Sequence, residues 1–153
     1  MVQSIISFNI IFWGASSKTL LDALQRKQNI IIRNLFQHHL PASFGTSQIY
    51  GATEILNIAD FHKYSVGLTL FKAIQFNNFP LVTDAILSSQ WSHSYNTRRV
   101  HPYRLPRTRV DPDINCFLYQ ALSLFNALPV NIRNYANLST FKKELGKFLR
   151  REY

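Results

Sequence analysis

One cysteine, Cys116, occurs in 153 residues. A lone thiol excludes an internal disulfide and a cysteine-based zinc site, and it fits a reducing compartment. Acids are also scarce, with 8 Asp plus Glu against 17 Lys plus Arg. Two-metal polymerase, nuclease or phosphatase chemistry needs several carboxylates converging on ions about 4 Å apart. Here the acids are scattered, and the one close pair, Asp111 and Asp113 around Pro112, reads as a turn plus a helix cap. The 5 glycines are isolated from one another, which excludes a phosphate-cradling loop or a dinucleotide fingerprint. His38 and His39 are adjacent, so on a helix they point about 100° apart and cannot share a metal as an i, i+4 pair can. Cys116 lacks patterned His and Asp or Asn partners and reads as a small core residue. An autonomous enzyme is not expected, nor a cofactor, a bound metal or a small-molecule substrate.

Long hydrophobic runs are missing too. Residues 5–13 are apolar and precede small residues, as in a secretory signal, but no Lys or Arg comes before Lys18. The run is also shorter than the ~20 residues of a spanning helix. It is expected to be a buried strand or helix end, in a protein that is intracellular (cytoplasmic or nuclear), not secreted and without a membrane span.

Apolar residues make up 46% of the chain and charged residues 16%, with 12 Phe, 7 Tyr and 2 Trp. Such a chain folds or associates rather than remaining a solvated linker, and at this length a domain buries roughly 70% of its unfolded surface. The formal charge is +9, which favours an acidic partner such as nucleic acid or an anionic membrane surface. Residues 98–153 carry 11 basic and 4 acidic side chains, and residues 1–97 carry 6 and 4. Arg98, Arg99, Arg104, Arg107 and Arg109 fall in one stretch without an acid, interleaved with His101, Pro102, Tyr103 and Pro106.

Periodicity predicts a mainly α fold, a small bundle of about six helices. Ser16 or Ser17 caps a helix to about residue 37, with Leu21, Leu24, Gln28, Ile31 and Leu35 on one face. Residues 47–56 suit a short helix, and Asp60 caps a central one reaching about Phe76. Pro80 opens a helix to about Ser88. Residues 90–113 lack a period and form an irregular basic arm, with a short hairpin as one arrangement. Helix resumes after Asp113 and stops before Pro129. One turn fits residues 130–134, and Ser139 or Thr140 starts a last helix that buries Phe141, Leu145, Phe148 and Leu149. The parts are residues 1–89, the arm at 90–113, and 114–153, expected to pack as one unit.

From residue 93 onward a series of motifs stands out. It comprises His93, Tyr95, Asn96, Thr97 and Arg98; Phe117 and Tyr119; Phe125, Asn126, Leu128 and Pro129; Ile132 and Arg133; and Phe141, Lys142, Lys143 and Leu145. The series resembles the extreme C-terminal region of reverse transcriptases from non-LTR (LINE-like, jockey-type) retrotransposons. Those read H-x-Y-N-T-R, F-x-Y-x-G, W-N-x-L-P, I-R and F-K-K-x-L in the same order. Upstream, Trp13 with Gly14, the segment Leu24, Gln25 and Gln28, and Leu56 with Ile58 are similar to the family's segments following the polymerase palm. The chain departs from the pattern at Phe125, where the family has Trp, and at Ala121, where it often has Gly.

The resemblance implies a thumb and post-thumb remnant of an RNA-directed DNA polymerase. The family's catalytic aspartates lie upstream of the matching region, so no residue here inherits a catalytic role. It also implies contact with RNA or DNA, and with the palm and fingers of a parent polymerase. The charge map agrees in direction: the five arginines supply forked phosphate contacts, and Tyr95 and Tyr103 are candidates to stack on unpaired bases. The alternative is a helical interaction module that docks a palm or other partner without binding nucleic acid. A third possibility is residues 139–151 lying on an anionic membrane.

Overall fold

A computed structural model describes residues 9–36, 43, 45–53, 55–90, 102–106 and 117–150. Among them the chain forms eight helices: α1 (Ile10–Trp13), α2 (Lys18–Phe36), α3 (Thr46–Thr53), α4 (Ile58–Phe76), α5 (Pro80–Ser88), α6 (Phe117–Ala127), α7 (Val130–Arg133) and α8 (Leu138–Arg150). The fold is a small helical bundle, as the periodicity predicts, with two of its helices only one turn long. None of the described helices is long and apolar enough to cross a membrane.

α4 is the hub, touching α1, α2, α5, α6 and α8. Its sequence explains this, because apolar residues lie on every side of it, as a helix surrounded by others requires. Its N-cap is Asn57, whose Oδ1 accepts from the Asp60 N–H at 2.8 Å. Asp60, expected as the cap, instead sits in the first turn, where its negative charge complements the helix dipole. At the other end Asn77 adopts the left-handed conformation (φ 50°), and its N–H donates to the Ala73 carbonyl at 3.1 Å. Asn tolerates that conformation better than most residues. Pro80 at the start of α5 has no N–H to leave unsatisfied, and the Thr83 hydroxyl ties α5 to α4 by donating to the Ala73 carbonyl at 3.0 Å.

The main core lies where α4, α6 and α8 meet. Phe71 and Phe141 stack with ring centroids 4.2 Å apart, among fully buried Leu70, Leu122 and Leu145. Gly67 on α4 lets both partners come close: a Cβ there would stand 3.0 Å from Leu145 Cδ2 and 3.2 Å from Leu124 Cδ2. α8 begins one or two residues earlier than expected, because Asn137 supplies the cap, its Oδ1 accepting from the Ser139 N–H at 2.8 Å. Phe141, Leu145 and Leu149 are buried and Phe148 is partly buried, while Lys142, Lys143 and Lys147 face solvent.

A second, smaller core joins α2 to α3. α3 ends at Thr53, short of the expected residue 56. At the start of α2 the Leu20 and Leu21 N–H groups both donate to the Ser17 carbonyl, at 3.1 and 3.2 Å. Its buried stripe is turned from the one the hydrophobic pattern gives. Gln28 and Ile32 are buried, while Leu35 is 62% exposed. The cause is polar. Gln25 Oε1 accepts from the Ile58 N–H at 2.8 Å, and Gln28 Nε2 donates to the Leu56 carbonyl at 3.0 Å. These two amides satisfy the backbone leading into α4, and the helix must face them inward to do so.

Candidate nucleic-acid interface

The arginine arm is only partly within the described residues. Arg98, Arg99, Arg107 and Arg109 lie outside them, as do Tyr95 and the motif residues His93, Asn96 and Thr97. Residues 102–106 show how this stretch is attached. Gln90 and Tyr103 form a single antiparallel bridge, and the Arg104 N–H donates to the Ser89 carbonyl at 2.8 Å. Among the described residues this antiparallel bridge is the arm's pairing with the segment after α5, and the rest of the expected hairpin lies outside them.

Asn126 secures the same point from the other side. Its Oδ1 accepts from the Tyr103 N–H at 3.2 Å, and its Nδ2 donates to the Tyr103 carbonyl at 2.9 Å. One side-chain amide thus satisfies both backbone groups of Tyr103, as a neighbouring strand would.

Tyr103 must be corrected as a stacking residue. The residue is only 9% exposed, and its ring meets Phe125 edge-on, with centroids 5.6 Å apart. An aromatic among arginines reads locally as a base platform. Here burial against a helix more than twenty residues later takes the ring into the core, which leaves little of it for a base to stack on. Arg104, the next residue, is exposed. The chain therefore alternates an inward anchor with an outward cation.

The described motif residues divide between packing and chain direction. Phe125, Leu128 and Phe141 are buried. Pro129 follows α6 and forms the N-cap of α7, turning the chain at that corner. Lys142 points to solvent. Arg133 ends α7, and its Nε is buried without a hydrogen-bond acceptor.

Arg133 lines a cleft of about 330 Å³ between the end of α4, Tyr103 and the corner joining α6 to α7. Phe71, Tyr103 and Phe125 contribute its inner part, and Gln75 and Asn134 stand with Arg133 around it. Gln75 and Asn134 carried no sequence signal: each is a lone polar residue whose place depends on how the helices meet.

A more apolar groove of about 470 Å³ lies on the other side of α4, beside α6 and α8, with Gly14 and His62 in its lining. Burial holds the His62 pKa below its usual value, partly offset by a hydrogen bond to the Ile11 backbone. Its Nε2 is buried and unpaired. A Cβ at Gly14 would collide with the His62 ring and the Ile10 carbonyl, which explains the glycine after Trp13.

Comparison of the chain with protein-family models, curated proteins and solved structures returns no match.

Proposed function

We propose that this chain is a noncatalytic, nucleic-acid-binding remnant of the C-terminal region of a retrotransposon reverse transcriptase, gripping the RNA or DNA backbone through the arginine stretch at 98–109. The observation that carries this reading is the double hydrogen bond from Asn126 to Tyr103. It joins the helix bearing the F-N-x-L-P motif to the basic stretch, so residues quoted for the resemblance hold the segment whose charge suits phosphate. Arg104, set facing solvent by the buried ring before it, is the described example of such a cation. Phosphate contact by arginine is forked and charge-assisted, and it carries little sequence information. Weak, salt-sensitive binding to RNA and duplex DNA alike is the expected activity, without polymerisation.

The docking-module reading has its own support in the outer surface of α2. Leu20, Ile30 and Leu35 are 64%, 54% and 62% exposed there, more apolar surface than a lone helix face usually shows to water.

Titrating the full chain with labelled RNA, duplex DNA and anionic vesicles over a salt series separates the readings. Binding to both nucleic acids that weakens steeply with salt supports the proposal. Binding to vesicles alone favours the membrane alternative. Binding to none of the three leaves the docking module.

A further inference from the structure

We propose that α1 is a latch released by acid: protonation of His62 detaches the Ile10–Trp13 turn from α4 and widens the apolar groove that Gly14 and His62 line. The latch works whatever the arginine stretch binds.

α1 is one turn long and thinly anchored. Ile10 is its buried residue, 1% exposed, and it lies in neither core, while Phe12 is 79% exposed. A segment with so few buried apolar contacts opens at a small fraction of the global unfolding free energy. The His62 ring meets the end of this turn so closely that Gly14 has no room for a Cβ. The ring atom nearest to where that Cβ would stand is Cδ2, the neighbour of Nε2. The chain leaving α1 therefore shields the side of the ring that carries the buried, unpaired nitrogen.

A neutral imidazole suits this place. The ring hydrogen-bonds to the Ile11 backbone, and an unpaired neutral nitrogen at Nε2 costs less than a charged donor would. Protonation puts an N–H on Nε2 where neither an acceptor nor water reaches it, and burying a charged donor unmade is heavily penalised. The ring regains a partner by turning toward solvent, and the turn packed on it must then give way. Burial holds the His62 pKa below its usual value, in the same direction. The closed form thus keeps the neutral ring, and the open form binds the proton first as pH falls. The open fraction should grow below about pH 6.5 by up to about tenfold per pH unit. Among the described elements around the ring, α1 brings no titratable group, and α2 and α8 bring only apolar residues to the groove. α4 adds Lys63, paired with Asp60 at 3.2 Å, and α6 adds Tyr119.

Acrylamide quenching of Trp13, which is partly buried in α1, tests the latch in the full chain. Trp91→Phe makes Trp13 the sole indole. Quenching is followed from about pH 7.5 to 5, with helix content monitored by circular dichroism. It should rise below about pH 6.5 while the helix signal holds. His62→Gln keeps a polar, uncharged side chain and leaves Lys63, Asp60 and Tyr119 in place, so its quenching should stay flat. Gly14→Ala, whose Cβ forces ring and turn apart, should show the high quenching already at neutral pH. Quenching in the parent that ignores pH, a step that persists in His62→Gln, or a step that comes with loss of the helix signal overturns the latch. Should His62→Gln fail to fold, Gly14→Ala decides, and quenching as low as the parent's at neutral pH counts against the proposal.

Discussion

The two cores of this protein are built on different physics. The main core is a meeting of apolar surfaces, with stacked Phe71 and Phe141 among fully buried leucines of three helices. Its stability scales with area and fit, and many hydrophobic sequences of similar volume would satisfy it. Among the described residues the smaller core buries Ile32, Ile49 and Tyr50, with Phe36 and Ile55 against them, a small apolar area for holding α2 to α3. A polar network supplements it. Gln25 Nε2 donates to the Tyr50 hydroxyl at 2.7 Å, and that hydroxyl lies 2.7 Å from Asn29 Oδ1 and 3.1 Å from Gln28 Oε1. Burial pushes the Tyr50 pKa up to about 12, against the lowering effect of the Gln25 contact, so the phenol stays a donor at any ordinary pH. Where area is short, direction substitutes for it, and the residues become less interchangeable.

The largest expected effect probes the main core. Phe141→Ala should cost about 3–5 kcal/mol, measured by chemical denaturation, and should weaken the whole bundle because α4 and α8 share that contact. A loss below about 1 kcal/mol would mean that the core tolerates a void there.

Tyr50→Phe sharpens the contrast. It removes the hydroxyl's bonds while Gln25 Nε2 keeps Gln28 Oε1 at 3.1 Å and Asn29 Oδ1 at 2.8 Å, so the cost should be that of a hydrogen bond lost with its neighbours still paired, about 0.5–1.5 kcal/mol. Hydrogen exchange should quicken in α2 and α3 while the amides of α6 and α8 keep their protection. Uniform loss of protection would show that the two cores unfold as one.

Gly51 on α3 has nothing within 4 Å of where a Cβ would stand. Gly51→Ala should therefore stabilise the smaller core by about 0.5–1 kcal/mol through helix propensity, read as slower exchange in α3. A destabilised variant would contradict the open geometry.

The smallest effect concerns pH. His62 has a folded pKa below its usual 6.5, so the unfolded chain binds its proton first as pH falls. The stability from keeping the ring neutral is fully present above about pH 6.5 and declines as pH falls from there through the lower folded value. The other titratable side chains lining that groove are Lys63 and Tyr119. Denaturation midpoints of the parent should fall between about pH 6.5 and 5 more than those of His62→Gln. Parallel curves would remove His62 as the cause.

Local patterns carried much of the fold. Pro80 and Pro129 punctuate helices where the chain turns, and the i, i+4, i+8 spacing of Phe141, Leu145 and Leu149 gives the buried face of α8 directly. What escaped depends on distant partners. Gln28 reads as a polar interruption until its bond to the Leu56 carbonyl, 28 residues away, is known. Asn57 and Asp60 are both good caps, and only the backbone decides between them. At the candidate interface the arginine stretch was legible as charge. The inward turn of Tyr103 was not, because it rests on Phe125 and Asn126 from another helix. Gln75 and Asn134 join Arg133 only through the corner between α6 and α7.

The central claim is that the arginine stretch binds nucleic-acid backbone, and the slope of log affinity against log salt tests it most directly. With Arg98, Arg99, Arg104, Arg107 and Arg109 replaced by Ala and helix content unchanged, affinity for RNA and duplex DNA should fall together. The slope should flatten by about 0.9 per lost contact on duplex and about 0.7 on single strands. Full affinity with an unchanged slope would contradict the account and leave the exposed face of α2 as the better guide to what this protein meets.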